Sequence, residues 1–198
     1  MRKILVIISL AFIFAAVAGI FWYTQFLYSL PTPVPANYVA VPVGKNIKLP
    51  QEITKNNSRP LLLHFFNPAC PCSKFNMKYF RSLVKQYGNK TDFAVVVMSS
   101  NNYTAKDIQE KFGLDIPVSF DTAIAKTCGV YSTPQAVILD AEGKLYYRGN
   151  YNRSRYCTDK KTNYAEQALT GLLNNKSNPI FNQFALKAYG CKLPNCTK

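Results

Sequence analysis

From Ile4 to Gly44 the chain carries no charged residue, and up to about Tyr23 its side chains are almost wholly apolar. A run of about 20 apolar residues is the length a helix needs to cross the ~30 Å hydrocarbon core of a bilayer. Arg2 and Lys3 stand in front of it. By the positive-inside rule those two residues stay in the cytoplasm and everything after the run is exported. The rival reading is a cleavable signal peptide with Ala16-Val17-Ala18 as its small-residue cleavage site. The apolar run continues past that point through Ile20, Phe21, Trp22, Phe26 and Leu27, and its Trp/Tyr cluster fits an interfacial belt. An uncleaved anchor, crossing the inner membrane through residues 4–23, is the preferred expectation.

The 198 residues leave room for one ordinary domain behind that anchor. The expected organisation is an anchor over 1–28, a proline-rich stalk over 29–57, and a domain with a cysteine-containing tail over 58–198. Pro31, Pro33, Pro35, Pro42 and Pro50 punctuate the stalk without helical periodicity. Such a segment is extended and semi-rigid, rising ~3.1 Å per residue, and would hold the domain clear of the membrane. Six cysteines fit an exported chain, because disulfides persist outside the cytoplasm. Setting aside Arg2 and Lys3 leaves 22 basic against 10 acidic residues, a net charge of +12. The basic residues are scattered, with no basic helix interleaved with aromatics, so nucleic acid is not an expected partner. An anionic membrane surface or acidic partners suit the charge better.

Hydrophobic patterning predicts the elements. Pro60–Phe66 reads as a buried strand, Ser73–Tyr87 as an amphipathic helix ending near Gly88, and the β-branched run Thr91–Met98 as a buried parallel strand. Thr104 caps a helix to Phe112; a short extended piece spans Ile116–Phe120 and a short helix Thr122–Cys128. Gln135–Asp140, the turn Ala141–Lys144 and Leu145–Arg148 form a hairpin, and a last helix runs from about Asn163 to Asn174. This order argues for a three-layer α/β/α sandwich with a mixed sheet.

Cys70-Pro71-Cys72 falls at the first strand-to-helix junction. Unpaired amide N–H groups and the positive end of the dipole at a helix start stabilise a thiolate over a thiol. Proline suits the first helical position and holds its predecessor extended, which makes Cys70 the N-cap and the expected nucleophile. That role requires Cys70 to be ionised and accessible in the folded chain. The plain alternative is that the two cysteines are structural. An i,i+2 bridge between them is geometrically tight and easily reduced.

Three segments carry a resemblance over about residues 58–175: His64-Phe65-Phe66-Asn67-Pro68-Ala69-Cys70, Ser132-Thr133-Pro134-Gln135, and the hairpin Ile138–Gly149. Together they resemble the thioredoxin fold, in particular the redoxin (AhpC/TSA-type) branch that includes the peroxiredoxins. The anchor and stalk resemble those of membrane-tethered bacterial thiol-disulfide oxidoreductases. The resemblance implies an oxidoreductase in the periplasm or another extracytoplasmic space. Its partners would be protein thiols or disulfides and a membrane electron donor, with no cofactor and no metal. On the family's Trp-Cys-Gly-Pro-Cys-Lys motif, Cys70 matches the attacking cysteine and Lys74 the lysine after it, while Ser73 falls at the resolving position and Cys72 where proline is usual. Either Cys72 or Cys128 is therefore the expected resolving cysteine. Thr133-Pro134 resembles the loop whose cis-proline faces the active cysteine and whose preceding residue pairs with an extended substrate. His64 falls where thioredoxins place a buried acid, and the resemblance implies a proton acceptor poised near neutral pH. Tyr189-Gly190-Cys191 resembles a late Gly-Cys of some redoxins. One structural bridge is expected among Cys157, Cys191 and Cys196, joining Cys191 to either of the others.

Three other functions compete. A peroxidase is disfavoured, because peroxiredoxins place threonine or serine three residues before the reactive cysteine and Asn67 stands there. A copper(I)-binding or copper-delivery module draws on soft cysteine ligands. The third is a tethered binding domain whose cysteines are all structural.

Overall fold

In the computed structural model of the chain, residues 2–53, 58–175 and 180–193 are described. Helix α1, Arg2–Ser29, is 28 residues long and none of its residues is buried. At 1.5 Å per residue it spans about 42 Å. It is long and apolar enough to cross a membrane and outruns the expected 4–23, continuing through Phe26, Leu27 and Tyr28 to Ser29.

The chain then builds β1 (Leu61–Phe66), α2 (Pro71–Tyr87), β2 (Asp92–Val97), α3 (Ala105–Phe112) and β3 (Val118–Ser119). After these come α4 (Ala123–Cys128), β4 (Ser132–Thr133), β5 (Gln135–Leu139), β6 (Leu145–Gly149), α5 (Tyr164–Leu173), α6 (Gln183–Leu186) and β7 (Cys191–Lys192). The main sheet has the order β3-β2-β1-β5-β6. β1 runs parallel to β2 and antiparallel to β5, so the sheet is mixed with β1 at its centre. All six residues of β1 are buried, as its unbroken apolar run predicts for a strand covered on both faces.

Strand alternation sorts the core into two halves. On one face Leu62 and Phe66 meet Phe80 and Leu83 of α2, Ile108 and Phe112 of α3, and Ala165 and Leu169 of α5. On the other, Leu61, Leu63 and Phe65 meet Ile124, Ala125 and Cys128 of α4. The result is the expected three-layer α/β/α arrangement. Its parallel β1–α2–β2 unit, its antiparallel β5–β6 hairpin and its cis Thr133-Pro134 bond are those of a thioredoxin-like fold. Local chemistry agrees with this: Thr104 and Asp107 close a reciprocal capping box at the start of α3.

The stalk departs from expectation. Val41, Ile47 and Ile53 are buried in the second core half, Lys45 and Ile47 exchange backbone hydrogen bonds with the β5–β6 hairpin, and Arg148 donates to the Val41 carbonyl. Each buried aliphatic side chain contributes roughly 1.5–3 kcal/mol. The second half of the proline-rich segment is therefore part of the domain, not a spacer holding it off the membrane.

Candidate functional site

The turn between β1 and α2 is shaped by Asn67. Its side-chain carbonyl accepts from the Ala69 N–H at 2.9 Å, and its backbone carbonyl accepts from the Cys70 N–H at 3.0 Å. Ser73, in the first turn of α2, accepts from the Asn67 N–H at 3.3 Å. These bonds reverse the chain within four residues and deliver Cys70 as the N-cap of α2, with φ −82° and ψ 123°, and Pro71 in the first turn. This is the geometry predicted from the proline.

Cys70 is disulfide-bonded, and its partner is Cys191, 121 residues further along the chain. Strand pairing brings the two together. β7 lies antiparallel to β4, with Thr133 opposite Cys191 and Ser132 opposite Lys192. The tail thus occupies the backbone edge just before the cis-proline. Thr32 fastens it. The Thr32 hydroxyl donates to the Gly190 carbonyl at 2.7 Å, its N–H donates to the Ala188 carbonyl at 2.7 Å, and the Ser132 hydroxyl donates to the Cys191 carbonyl at 3.0 Å. Glycine is required at 190: a Cβ there would collide with the Thr133 backbone carbonyl and lie 2.7 Å from the Ser132 Oγ.

Cys72 lies outside this disulfide, yet the sulfurs of Cys70, Cys72 and Cys191 are all within 4.8 Å of one another. All three residues are buried, and Tyr28, near the end of α1, packs against them. Arg155 lies over the Tyr28 ring at 4.4 Å and donates to the Gln25 side chain at 3.0 Å, so the globular domain also grips the helix end. Beside the sulfurs opens a cavity of about 510 Å³ whose walls include Tyr28, Cys72, Asn76, Arg155 and Cys157.

Several expectations need correction. Cys70 is not accessible in this state: it is 0 % exposed, beneath the tail and Tyr28. The sulfur bonded to Cys70 belongs to Cys191, so neither Cys72 nor Cys128 is its partner. Cys128 ends α4 within the core half on the other side of the sheet, and burial pushes its thiol up to about 12 against the partial opposition of Arg148. Cys191 joins neither Cys157 nor Cys196. Cys157 is a thiol with φ 55°, accepts from the Asn76 amide at 3.2 Å, and is pushed up to about 12 by burial. Cys196 lies outside the described residues.

His64 is also corrected. Alternation does point it to the α2 face, but there it stacks on Phe80 at 4.5 Å with Phe66 and Phe112 around it. Its Nδ1 is 2.7 Å from the Tyr151 hydroxyl. Burial lowers its pKa to about 3, so the imidazole is neutral and does not titrate near pH 7. It is a core residue among aromatic rings, not a poised proton acceptor.

Sequence reasoning did not find Tyr28 or Thr32, which have no motif of their own, and it placed Ser132 in the cis-proline segment without giving it a role. Gly190 and Cys191 did carry a signal, the Gly-Cys pair. Their register opposite Ser132 and Thr133 is what turns that signal into a site.

A family model described as "Domain of unknown function (DUF6436)" matches residues 41–193. That span begins inside the stalk, at the first of its buried aliphatic residues. No curated protein matches the sequence. Among solved structures, a hypothetical protein from Sinorhizobium meliloti is 18% identical with a TM-score of 0.64, covering 79% of this chain and 96% of its own. An uncharacterized conserved protein from Geobacillus kaustophilus is 19% identical with a TM-score of 0.61, covering 79% and 94%. A thiol:disulfide interchange protein of the thioredoxin family from Chlorobium tepidum is 15% identical with a TM-score of 0.47, covering 59% and 81%. The first two likenesses bear on the fold.

Proposed function

The chain belongs to the Domain of unknown function (DUF6436) family, and from that premise we propose that it is a membrane-anchored, extracytoplasmic thiol-disulfide oxidoreductase with Cys70 as its nucleophile. One observation carries this reading: the helix-cap cysteine is joined to a cysteine on a strand that pairs with the residue before the cis-proline. A bond held in that place resembles an exchange intermediate with the chain's own tail as the bound peptide.

The chemistry follows from the geometry. A partner thiolate attacks the Cys70 sulfur, a new S–S bond forms, and the Cys191 thiolate leaves. The partner's second thiolate then attacks its own linked sulfur and releases Cys70 as a thiolate. The partner ends oxidised by two electrons and the Cys70/Cys191 pair reduced by two; the reverse sequence reduces a partner disulfide. The α2 N-terminus favours the anionic sulfur at Cys70 in both directions. Helix α1, with Arg2 and Lys3 before it, supports an inner-membrane anchor with the domain outside the cytoplasm.

Mixed-disulfide trapping tests this. Full-length protein in detergent, first reduced, is offered a peptide disulfide and quenched with acid. Cys70→Ser should abolish exchange. Cys191→Ser should accumulate a covalent Cys70–peptide adduct, because the resident resolving thiol is gone. Exchange undiminished in Cys70→Ser would overturn the assignment.

A further inference from the structure

We infer that the reduced form of this cluster is a copper(I) site made by Cys70, Cys72 and Cys191. The three sulfurs come from the helix cap, the first turn of α2 and the tail strand, and they converge within 4.8 Å of one another. A metal–thiolate bond of ~2.3 Å places three ligands of a trigonal plane about 4.0 Å apart, which this cluster accommodates.

Ligand chemistry selects the ion. Thiolates suit soft Cu(I), whereas Zn(II) takes four ligands. Among the described residues no fourth cysteine, histidine or carboxylate joins the group. The chain's one histidine, His64, is committed to Tyr151 and the rings around it. The setting also suits a low-coordinate ion. All three cysteines are buried and Tyr28 packs against them. Three thiolates around one Cu(I) leave a charge of −2, which the helix start and the guanidinium of Arg155 over Tyr28 offset.

The site is gated by oxidation. In the Cys70–Cys191 disulfide two of the three ligands are tied up. Two electrons and two protons from an external dithiol break that bond into two thiols. Binding of Cu(I) to all three cysteines then displaces their protons, and no electron is transferred to or from the metal. This inference stands apart from the exchange reading, since metal retention requires the three thiols and no partner protein.

The experiment uses the full chain in detergent, reduced with dithiothreitol, desalted without oxygen, and titrated with Cu(I) against bathocuproine disulfonate. One Cu(I) per chain is expected, with three sulfurs at ~2.3 Å by X-ray absorption. Cys72→Ser and Cys191→Ser should each weaken binding by more than the ~10–100-fold that loss of a group supporting a ligand costs. Cys72→Ser keeps the Cys70–Cys191 bond, so its oxidised form reports folding independently. Cys128→Ser and Cys157→Ser should bind as the parent does, and the oxidised parent should not compete for the ion. Equal affinity in Cys191→Ser, a two-sulfur spectrum, or retention of Zn(II) in preference to Cu(I) would each overturn the inference.

Discussion

His64 makes stability depend on pH in a direction and size that follow from its surroundings. Its folded pKa is about 3 because burial disfavours the cation, whereas an exposed histidine titrates near ~6.5. Between those values the unfolded chain binds the proton and the folded chain does not, so stability falls as pH falls. The contribution is fully present above pH ~6.5, declines through the window below it, and levels off once pH passes under ~3. Linkage for this one group gives a loss of about 2 kcal/mol between pH 7 and 5, and about 3 kcal/mol by pH 4. Urea denaturation of the full chain in detergent, followed by near-ultraviolet circular dichroism of its tyrosines, measures it. His64→Phe keeps an aromatic ring in the stack but strands the Tyr151 hydroxyl, at a cost of about 1–3 kcal/mol at pH 7. In that variant the histidine part of the pH slope should vanish. Because this is the chain's only histidine, its ring protons are assigned without ambiguity by NMR. A midpoint between pH 6 and 7 in the folded protein would refute the reasoning and restore a proton-transfer role.

Further expectations concern the sulfurs and the tail. Cys128→Ala should leave the exchange rate unchanged, since Cys128 sits on the far side of the sheet, and should cost about 1 kcal/mol in denaturant stability for the buried sulfur removed; a lost exchange rate would return it to the site. Gly190→Ala forces a Cβ against the Thr133 carbonyl, so β7 should detach and, with the Cys70–Cys191 disulfide of both proteins first reduced, maleimide should label Cys70 faster than in the parent. Unchanged labelling would mean that the tail does not cover the cysteine.

Most of the fold was legible because its signals are local. The apolar run of β1, the Thr104 cap of α3, and the hairpin turn at Ala141–Lys144 each declare an element within a few residues. Cys70 as N-cap was legible for the same reason, through Pro71. Its partner was not: the bond to Cys191 spans 121 positions and depends on a two-residue strand pairing, which no periodicity announces. Nor did the stalk reveal its packing, since Val41, Ile47 and Ile53 are isolated aliphatics among prolines and polar residues. Strand alternation aimed His64 correctly. What it could not supply was the ring environment, which is assembled by Phe80, Phe112 and Tyr151 from three separate segments.

The account rests on the bond between Cys70 and Cys191 being the one that is exchanged. Protein alkylated directly in membranes, digested without reduction and mapped by mass spectrometry before and after one turnover with a dithiol peptide, tests that claim. A Cys70–Cys191 cross-link beforehand, and both cysteines alkylated afterwards, is the expected result. A Cys70–Cys72 link at the start, or a Cys70–Cys191 link that survives turnover, would contradict it.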